Sequence, residues 1–275
     1  MANVWEAMKK HQAEQAAAPA VTGATHAPSA SPAGASVAPA ASQSSVPVGS
    51  THLNGYAEEL VAHHDRGGAV AEDYRSLRTN LLAQYPDEKF CLLVTSAEAN
   101  EGKTVTCLNL ALVLAERPER RTLVVDGDLR KCAIAGLLHI DNEPGLADLL
   151  RGTRKIEDVV RPTAYRNLFV IPAGKASRLE IGELLHSPEL EEIVGQLRQR
   201  YDYVLFDTPP ITVSADAGAL GQSVREAILV VRMYRTGRET ADSALRLLHA
   251  ANVKPVGVVL THRKDYIPKF IYYHT

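Results

Sequence analysis

Residues 90–115 read FCLLVTSAEANEGKTVTCLNLALVLA, and this stretch contains three kinds of segment. An apolar run at 90–95 comes first, a polar loop follows it, and a second apolar segment runs from 102 to 115. A short apolar run bounded by turn residues is typical of a buried strand, and a longer apolar segment is typical of a buried helix. The stretch therefore predicts a strand, a loop and a helix in direct succession.

The same alternation continues along the rest of the chain. Further strands are predicted at residues 122–125, 168–171, 203–206, 227–231 and 256–260, and further helices at residues 69–83, 189–200 and 239–251. Apolar strands without polar alternation, separated by helices, indicate a parallel sheet covered on both faces. The predicted fold class is α/β, a three-layer sandwich with a mostly parallel central sheet. In such sheets ligands bind at the carboxyl ends of the strands.

The loop after the strand at 90–95 carries a phosphate-binding pattern. Positions 97–104 spell A-x-x-x-x-G-K-T, which is a P-loop with alanine in the first glycine place. Backbone N–H groups at a helix N-terminus can hold a phosphate, Lys103 would reach the β- and γ-phosphates, and Thr104 would offer its hydroxyl to Mg²⁺. Asn100 occupies a position in the loop that would suit a glycine, and asparagine tolerates left-handed backbone better than most residues. The alternative is a Gly-Lys turn on a solvated surface. The predicted nucleotide-binding residues are Ala97, Glu98, Ala99, Asn100, Glu101, Gly102, Lys103, Thr104 and Val105.

Carboxylates follow two other predicted strands. Asp126 and Asp128 come after the strand at 122–125, and Asp207 comes after the strand at 203–206. The carboxyl ends of parallel strands meet at one edge of a sheet, so we expect these side chains near the P-loop. Mg²⁺ prefers oxygen ligands and retains several waters. The three carboxylates therefore predict a Mg²⁺ site, although each one alone would be compatible with a structural cap.

Composition limits the other function classes. The chain has 275 residues, a net charge of −2, and 45% hydrophobic against 23% charged residues, as in soluble globular proteins. A balanced charge gives no general attraction to nucleic acid, so no nucleic-acid partner is expected. Three cysteines, without a CxxC pair, favour a reducing cytoplasm. The sequence has no apolar run of about 18 residues, and a cytoplasmic location is expected.

Four segments are predicted along the chain. Residues 1–17 are expected to contain a short helix, which is either a frayed end or a docking peptide around Trp5. Residues 18–50 have no Lys, Arg, Asp or Glu and are expected to form a disordered tether. Residues 51–262 form the P-loop domain, and residues 263–275 form a C-terminal tail.

Four motifs together resemble the bacterial tyrosine kinases, the P-loop kinases of capsule and exopolysaccharide synthesis. SAEANEGKT at 96–104 is similar to their Walker A motif, VVDGDLRK at 124–131 to their Walker A′ motif, and VLFDTPP at 204–210 to their Walker B motif. Glu72, Arg75 and Arg78 fit their E-x-x-R-x-x-R helix. The resemblance extends from about residue 60 to residue 275, and the Walker A′ motif makes it specific.

The resemblance implies a protein-tyrosine kinase that uses ATP and Mg²⁺. The implied catalytic residues are Lys103, Asp126, Asp128, Arg130 and Asp207, and the implied Mg²⁺ ligands are Thr104, Asp128 and Asp207. Asp126 would also join the metal shell and accept the proton of the tyrosine hydroxyl. Arg130 would supply positive charge near the transferred group or brace its own loop.

The resemblance also implies roles for the C-terminal tail and for the predicted helix that carries Glu72, Arg75 and Arg78. In the family the phosphate acceptors are C-terminal tyrosines, which here would be Tyr266, Tyr272 and Tyr273. The alternative is that these tyrosines pack against the domain. Glu72, Arg75 and Arg78 would mediate self-association into a ring, although such a stripe is commonly only a solvated face.

A membrane partner is implied as well. Kinases of this family work with a membrane-spanning activator, either fused or separate. We therefore expect a transmembrane activator resembling a polysaccharide co-polymerase, which would hold the kinase at the inner membrane and place it in the control of capsule or exopolysaccharide synthesis or export.

Two other functions remain open. A nucleotide switch related to MinD and ParA would share the fold and the Mg²⁺ site, but such proteins carry a second lysine early in the P-loop, and no lysine precedes Lys103 in this loop. A scaffold that binds nucleotide weakly would be consistent with two departures from the family. Ala99 and Asn100 stand where the family has Pro-Gly, and Thr261 and His262 stand where it often has Asn.

Overall fold

The computed structural model describes residues 55–87 and 89–263. The predicted helix at 1–17, the linker at 18–50 and the three C-terminal tyrosines lie outside these residues.

Ten helices and seven strands occur within the described residues. The helices are α1 Val61–His64, α2 Ala69–Leu82, α3 Lys103–Leu114, α4 Ala133–Leu138, α5 Leu146–Leu150, α6 Ile156–Val159, α7 Glu180–Leu185, α8 Glu189–Arg200, α9 Asp216–Val224 and α10 Arg238–Ala250. The strands are β1 Phe90–Ser96, β2 Thr122–Asp126, β3 Arg161–Pro162, β4 Leu168–Ile171, β5 Tyr203–Asp207, β6 Glu226–Arg232 and β7 Lys254–Thr261.

The strands form one sheet in the order β3-β4-β2-β5-β1-β6-β7. Every neighbouring pair is parallel except β3 with β4. The P-loop strand β1 therefore lies between β5 and β6, and β2 lies on the other side of β5. The predicted α/β class with a mostly parallel sheet is confirmed.

Hydrophobic clusters cover both faces of this sheet. Successive residues of a strand point to opposite faces. In β1, Cys91 and Leu93 join one cluster, and Leu92 and Val94 join the other. Helices α8, α9 and α10 contribute to the first cluster, and α2 and α3 contribute to the second. Helix layers on either side of a sheet give the predicted three-layer sandwich.

The differences from the sequence prediction concern short elements. Strand β3 has two residues and pairs antiparallel with β4, and α1, α4, α5, α6 and α7 have four to six residues each. Elements this short are hard to predict because periodicity needs a longer window than they offer. Helix α9 is longer, but its sequence DAGALGQSV is rich in small residues and gave no clear apolar stripe.

Candidate nucleotide-binding site

The P-loop runs from the end of β1 to the start of α3. Asn100 has φ 65° and Gly102 has φ 88°, so two residues of this turn are left-handed. Asparagine and glycine are the residues that adopt such backbone most readily. Gly102 is the N-cap of α3, so the loop ends at the positive end of a helix. This is the backbone form in which N–H groups can surround an anion.

Lys103 is buried between two carboxylates. Its Nζ lies 3.1 Å from Oδ2 of Asp128 and 3.5 Å from Oδ1 of Asp207. Burial lowers the pKa of Lys103, but the charges of Asp207 and Asp128 outweigh burial and raise that pKa overall. The ammonium group therefore stays charged, and the P-loop lysine and the acidic residues of two other strands form one cluster.

Thr104 completes this cluster with a hydroxyl group. Its Oγ1 donates a hydrogen bond of 2.7 Å to Oδ2 of Asp207. Asp207 is fully buried, and burial raises the pKa of its carboxyl group against the opposing effect of Lys103. Four of the predicted site residues, Lys103, Thr104, Asp128 and Asp207, therefore form one contacting cluster.

Asp126 lies beside Asp207 but faces the backbone of its own loop. The two aspartates are partners in the register of β2 and β5. Oδ1 of Asp126 accepts a hydrogen bond from the N–H of Asp128 at 3.2 Å, and Oδ2 accepts one from the N–H of Ile134 at 3.1 Å. Burial and the nearby charge of Asp207 raise the pKa of Asp126. The carboxylate shapes the Walker A′ loop, and its place in a metal shell stays a prediction.

The predicted Mg²⁺ ligands provide only oxygen atoms. Asp128 and Asp207 flank Lys103 at the distances given above, and Oγ1 of Thr104 lies 3.3 Å from Nζ of Lys103. Within residues 55–87 and 89–263, no group of three or more His, Cys, Asp or Glu side chains could hold a metal ion. Two carboxylates and a hydroxyl group nevertheless fit Mg²⁺, because this ion commonly binds one or two carboxylates and takes its other ligands from water and phosphate.

Arg130 is held by a residue that sequence reasoning missed. Its Nε lies 2.6 Å and its Nη2 lies 3.2 Å from the two carboxylate oxygens of Asp216. Asp216 is the first residue of α9 and is mostly buried. Of the two roles expected for Arg130, this geometry supports bracing of the Walker A′ loop. The only available sequence signal was an acidic residue shortly after the Walker B motif.

The predicted oligomerisation residues are paired within the chain. Arg75 donates to Glu116 from Nη2 at 2.7 Å and from Nε at 3.0 Å, and Nη1 of Arg78 lies 2.7 Å from Oε2 of Glu116. Glu72 lies 3.2 Å from Arg75. Burial raises the pKa of Glu116, but hydrogen bonds from the two arginines outweigh it and lower that pKa overall. Sequence reasoning missed Glu116, and pairing with a neighbouring subunit stays a prediction.

A separate cavity opens at the other end of the sheet. It has a volume of about 480 Å³, and its lining includes Phe90, Tyr201 and Lys254. Phe90 begins β1, whereas Ser96 ends it beside the P-loop. Six residue steps along a strand span about 20 Å. The cavity is therefore remote from the Walker residues and is not the nucleotide site.

None of the helices in the described part of the chain combines the length and apolar character needed to cross a membrane.

A family profile and several curated proteins match the sequence of this chain. The profile of a family described as an AAA domain matches residues 97–233. The chain is 32% identical over 195 residues to tyrosine-protein kinase YwqD of Bacillus subtilis, a match that covers 70% of the chain and 81% of that kinase. It is 34% identical over 203 residues to tyrosine-protein kinase wzc of Salmonella typhi, a match that covers 74% of the chain but 28% of that longer kinase.

Two solved structures show the same likeness at the level of the fold. The kinase domain of Escherichia coli tyrosine kinase ETK has a TM-score of 0.69 at 27% identity, with 76% of the chain and 83% of that domain covered. The septum site-determining protein MinD of Pyrococcus horikoshii, solved with Mg-ADP, has a TM-score of 0.55 at 27% identity, with 66% of the chain and 75% of that protein covered. Both structures therefore share the P-loop architecture with this chain.

Proposed function

The chain belongs to the bacterial tyrosine-protein kinases, and we propose from this that it transfers the γ-phosphoryl group of ATP to tyrosine hydroxyls. The observation that carries the proposal is the position of Lys103 between Asp128 and Asp207, at the foot of a P-loop. Phosphoryl transfer depends mainly on positioning and on neutralising charge. A lysine, two carboxylates and a phosphate-binding loop supply both.

The proposed mechanism assigns one task to each part of the site. The N–H groups of the P-loop and Lys103 hold the phosphates, and Thr104, Asp128 and Asp207 would hold Mg²⁺, which neutralises charge on the phosphates when it is bound. Asp126 is proposed to accept the proton of the tyrosine hydroxyl. Its place opposite Asp207, at the edge of the sheet where the P-loop begins, supports this role. The charge of bound Mg²⁺ would favour the ionised carboxylate, which is the form that can accept a proton.

The proposed acceptors are the C-terminal tyrosines Tyr266, Tyr272 and Tyr273 of a second copy of the chain. The support is the resemblance to a family whose acceptors are C-terminal tyrosines, together with the clustering of these three tyrosines within residues 266–273. We further propose that α2, with Glu72, Arg75 and Arg78, joins copies into a ring. The support is the motif itself and its location on one helix.

The proposed setting is the cytoplasmic side of the inner membrane. A transmembrane activator resembling a polysaccharide co-polymerase would recruit the kinase there, and the kinase would regulate capsule or exopolysaccharide synthesis or export. The support is membership of the family, since the named relatives include the putative kinase CapB of Staphylococcus aureus and the kinase CpsD of Streptococcus pneumoniae.

Incubation of the chain and its activator with Mg-ATP tests the kinase proposal. Phosphotyrosine is expected in the tail, and Lys103→Met is expected to abolish it. Lys155→Met, at an exposed position away from the P-loop, is the matched control and should leave phosphorylation unchanged. Intact ATP binding by the wild type without any phosphotyrosine would contradict the proposal.

A nucleotide switch without kinase activity is the second candidate. The structural likeness to MinD favours it, because that protein shares the fold at a similar identity. The absence of a lysine before Lys103 in the P-loop sequence argues against it. Release of free phosphate from ATP, with no modified tyrosine, would identify the switch.

A further inference from the structure

Glu101 is a buried carboxylate inside the P-loop. Only 1% of the residue is exposed, and it lies between the two left-handed residues Asn100 and Gly102. An acidic residue of a P-loop can bind phosphate only through its backbone N–H, because its carboxylate repels the anion, so the buried side chain of Glu101 needs another explanation. Burying a carboxylate is costly unless hydrogen-bond donors satisfy it.

Three donors satisfy this carboxylate, and two of them lie outside the P-loop. Oε2 accepts a hydrogen bond of 2.6 Å from the N–H of Glu98. Oε1 accepts a hydrogen bond of 3.0 Å from the N–H of Arg232 and a second one from the hydroxyl group of Thr236. Arg232 is the last residue of β6, and Thr236 belongs to the turn that follows that strand. One side chain therefore joins two segments that are far apart in the sequence.

The backbone on the same side of the P-loop has a further contact. Thr261, at the end of β7, donates from Oγ1 to the carbonyl oxygen of Glu101 at 2.8 Å. The guanidinium group of Arg232 lies 3.5 Å from the carbonyl oxygen of Asn100. The ends of β6 and β7 thus both contact the part of the P-loop that contains the two left-handed residues.

From these contacts we propose that Glu101 is a positioning residue for nucleotide binding. Its carboxylate fixes the P-loop to the turn at residues 232–236, and that turn thereby becomes a structural part of the nucleotide site. The loop presents its N–H groups correctly only while this turn is in place, because the buried carboxylate loses two of its three donors when the turn moves away. The inference rests on the proposed function only in requiring that the P-loop binds a nucleotide.

Titration of the full chain with Mg-ADP, at a temperature well below the melting transition, tests the proposal. Glu101→Ala leaves three donors without their acceptor, and we expect the Kd for Mg-ADP to rise about tenfold or more. Glu101→Gln keeps the shape and one acceptor oxygen, so it should rescue part of this loss. Thr236→Val removes one donor at constant size and should raise the Kd by about threefold.

Two matched controls lie on α10, close in sequence to the turn. Glu239→Gln changes an exposed glutamate, and Thr240→Val makes the same exchange as Thr236→Val four residues further along. Among the residues that the structure describes, neither Glu239 nor Thr240 forms a hydrogen bond with Glu101, and both variants should bind Mg-ADP as the wild type does. Once phosphorylation is established, the Glu101 variants should show a raised KM for ATP with kcat changed by less than about twofold, since a loosened loop weakens binding more than the bound reaction.

A purely stabilising role for Glu101 predicts a different result. The melting temperature would then fall in the Glu101 variants while their Kd for Mg-ADP stayed at the wild-type value, and this outcome would overturn the proposal. Weakened Mg-ADP binding in the variants, together with a wild type that forms no phosphotyrosine, would leave the role of Glu101 standing and reject the kinase function. A wild type that does not bind Mg-ADP would reject both.

Discussion

Arg130 and Asp216 join the Walker A′ loop to the helix that follows the Walker B motif. Both carboxylate oxygens of Asp216 face the guanidinium group, at 2.6 and 3.2 Å. A paired arginine fork fixes orientation as well as distance. Arg130 lies two residues after Asp128, so this contact restrains the loop that carries Asp128 beside Lys103.

Removal of either partner should lower kinase activity without removing a ligand. Arg130→Ala and Asp216→Ala are each expected to lower kcat/KM by about tenfold or more, which is typical of groups that orient ligands. The double variant should be no worse than either single variant, because both remove the same contact. Steady-state kinetics with Mg-ATP would measure kcat/KM for the wild type, the two single variants and the double variant.

A control pair distinguishes this effect from general loss of an ion pair. Arg151, which directly follows α5, and Glu180, the first residue of α7, form a similar contact of 2.7 Å. Arg151→Ala should leave kcat/KM unchanged. Additive losses in the Arg130/Asp216 double variant would show that Arg130 acts directly on the transferred group instead.

Much of the site could be predicted because local patterns and one topological rule determine it. The strand, loop and helix at 90–115 are contiguous, and their apolar pattern is strong. The rule that parallel strands end at one edge brought Asp126 and Asp207 together, and the register of β2 and β5 places them opposite one another.

The partners that sequence reasoning missed are distant in sequence. Asp216 is 86 residues from Arg130, Glu116 is 41 residues from Arg75, and Thr236 is 135 residues from Glu101. Such contacts depend on how helices and loops pack against the sheet. No short-range pattern in the sequence distinguishes these residues from the many other charged and polar side chains of the surface.

Loss of the P-loop lysine should destabilise the protein in the absence of a ligand. In Lys103→Met, the buried carboxylates of Asp128 and Asp207 lose their cation. Breaking a buried ion pair costs about 3–5 kcal/mol. The free energy of unfolding in urea should therefore fall by an amount in this range, and Lys155→Met should leave it unchanged.

In the absence of nucleotide, Mg²⁺ should restore part of the stability that Lys103→Met loses. The same two carboxylates and the hydroxyl of Thr104 form the proposed metal site, and Lys103 no longer competes for it in the variant. We expect MgCl₂ to raise the melting temperature of Lys103→Met more than that of the wild type. An equal response of the two proteins would argue against a shared site for the lysine and the metal.

Glu116 should compete with ring formation. It occupies both Arg75 and Arg78 within one chain, so a neighbouring subunit that needs these arginines must displace it. Glu116→Ala is expected to shift sedimentation toward larger assemblies at a given concentration, with a somewhat lower melting temperature. Glu119→Ala is the control, since Glu119 pairs with Arg117 nearby. Reduced assembly in Glu116→Ala would show instead that Glu116 supports the interface.

Because of Asp126, the free energy of unfolding should decrease as the pH rises from about 5 to about 8. Burial and Asp207 raise the pKa of Asp126 above its ordinary value of about 3.9, so the folded protein keeps a proton that the unfolded chain has lost. A state that binds more protons is favoured at lower pH, and folding therefore weakens as pH increases through this range. Asp207, whose pKa burial raises to about 6, adds a decrease in the same direction in the lower part of this range. Glu116, whose pKa is lowered, contributes a change only at more acidic pH, and the raised pKa of Lys103 affects only alkaline pH.

Asp126→Asn should flatten that pH dependence. The asparagine keeps one acceptor oxygen for the N–H groups of Asp128 and Ile134 but carries no titrating group. The free energy of unfolding, measured in urea at several pH values, should show a smaller decrease toward pH 8 than the wild type shows. Asp141→Asn, at an exposed position, should retain the wild-type slope. Parallel curves for Asp126→Asn and the wild type would contradict this prediction, because they would mean that Asp126 is ionised in the folded protein throughout this range.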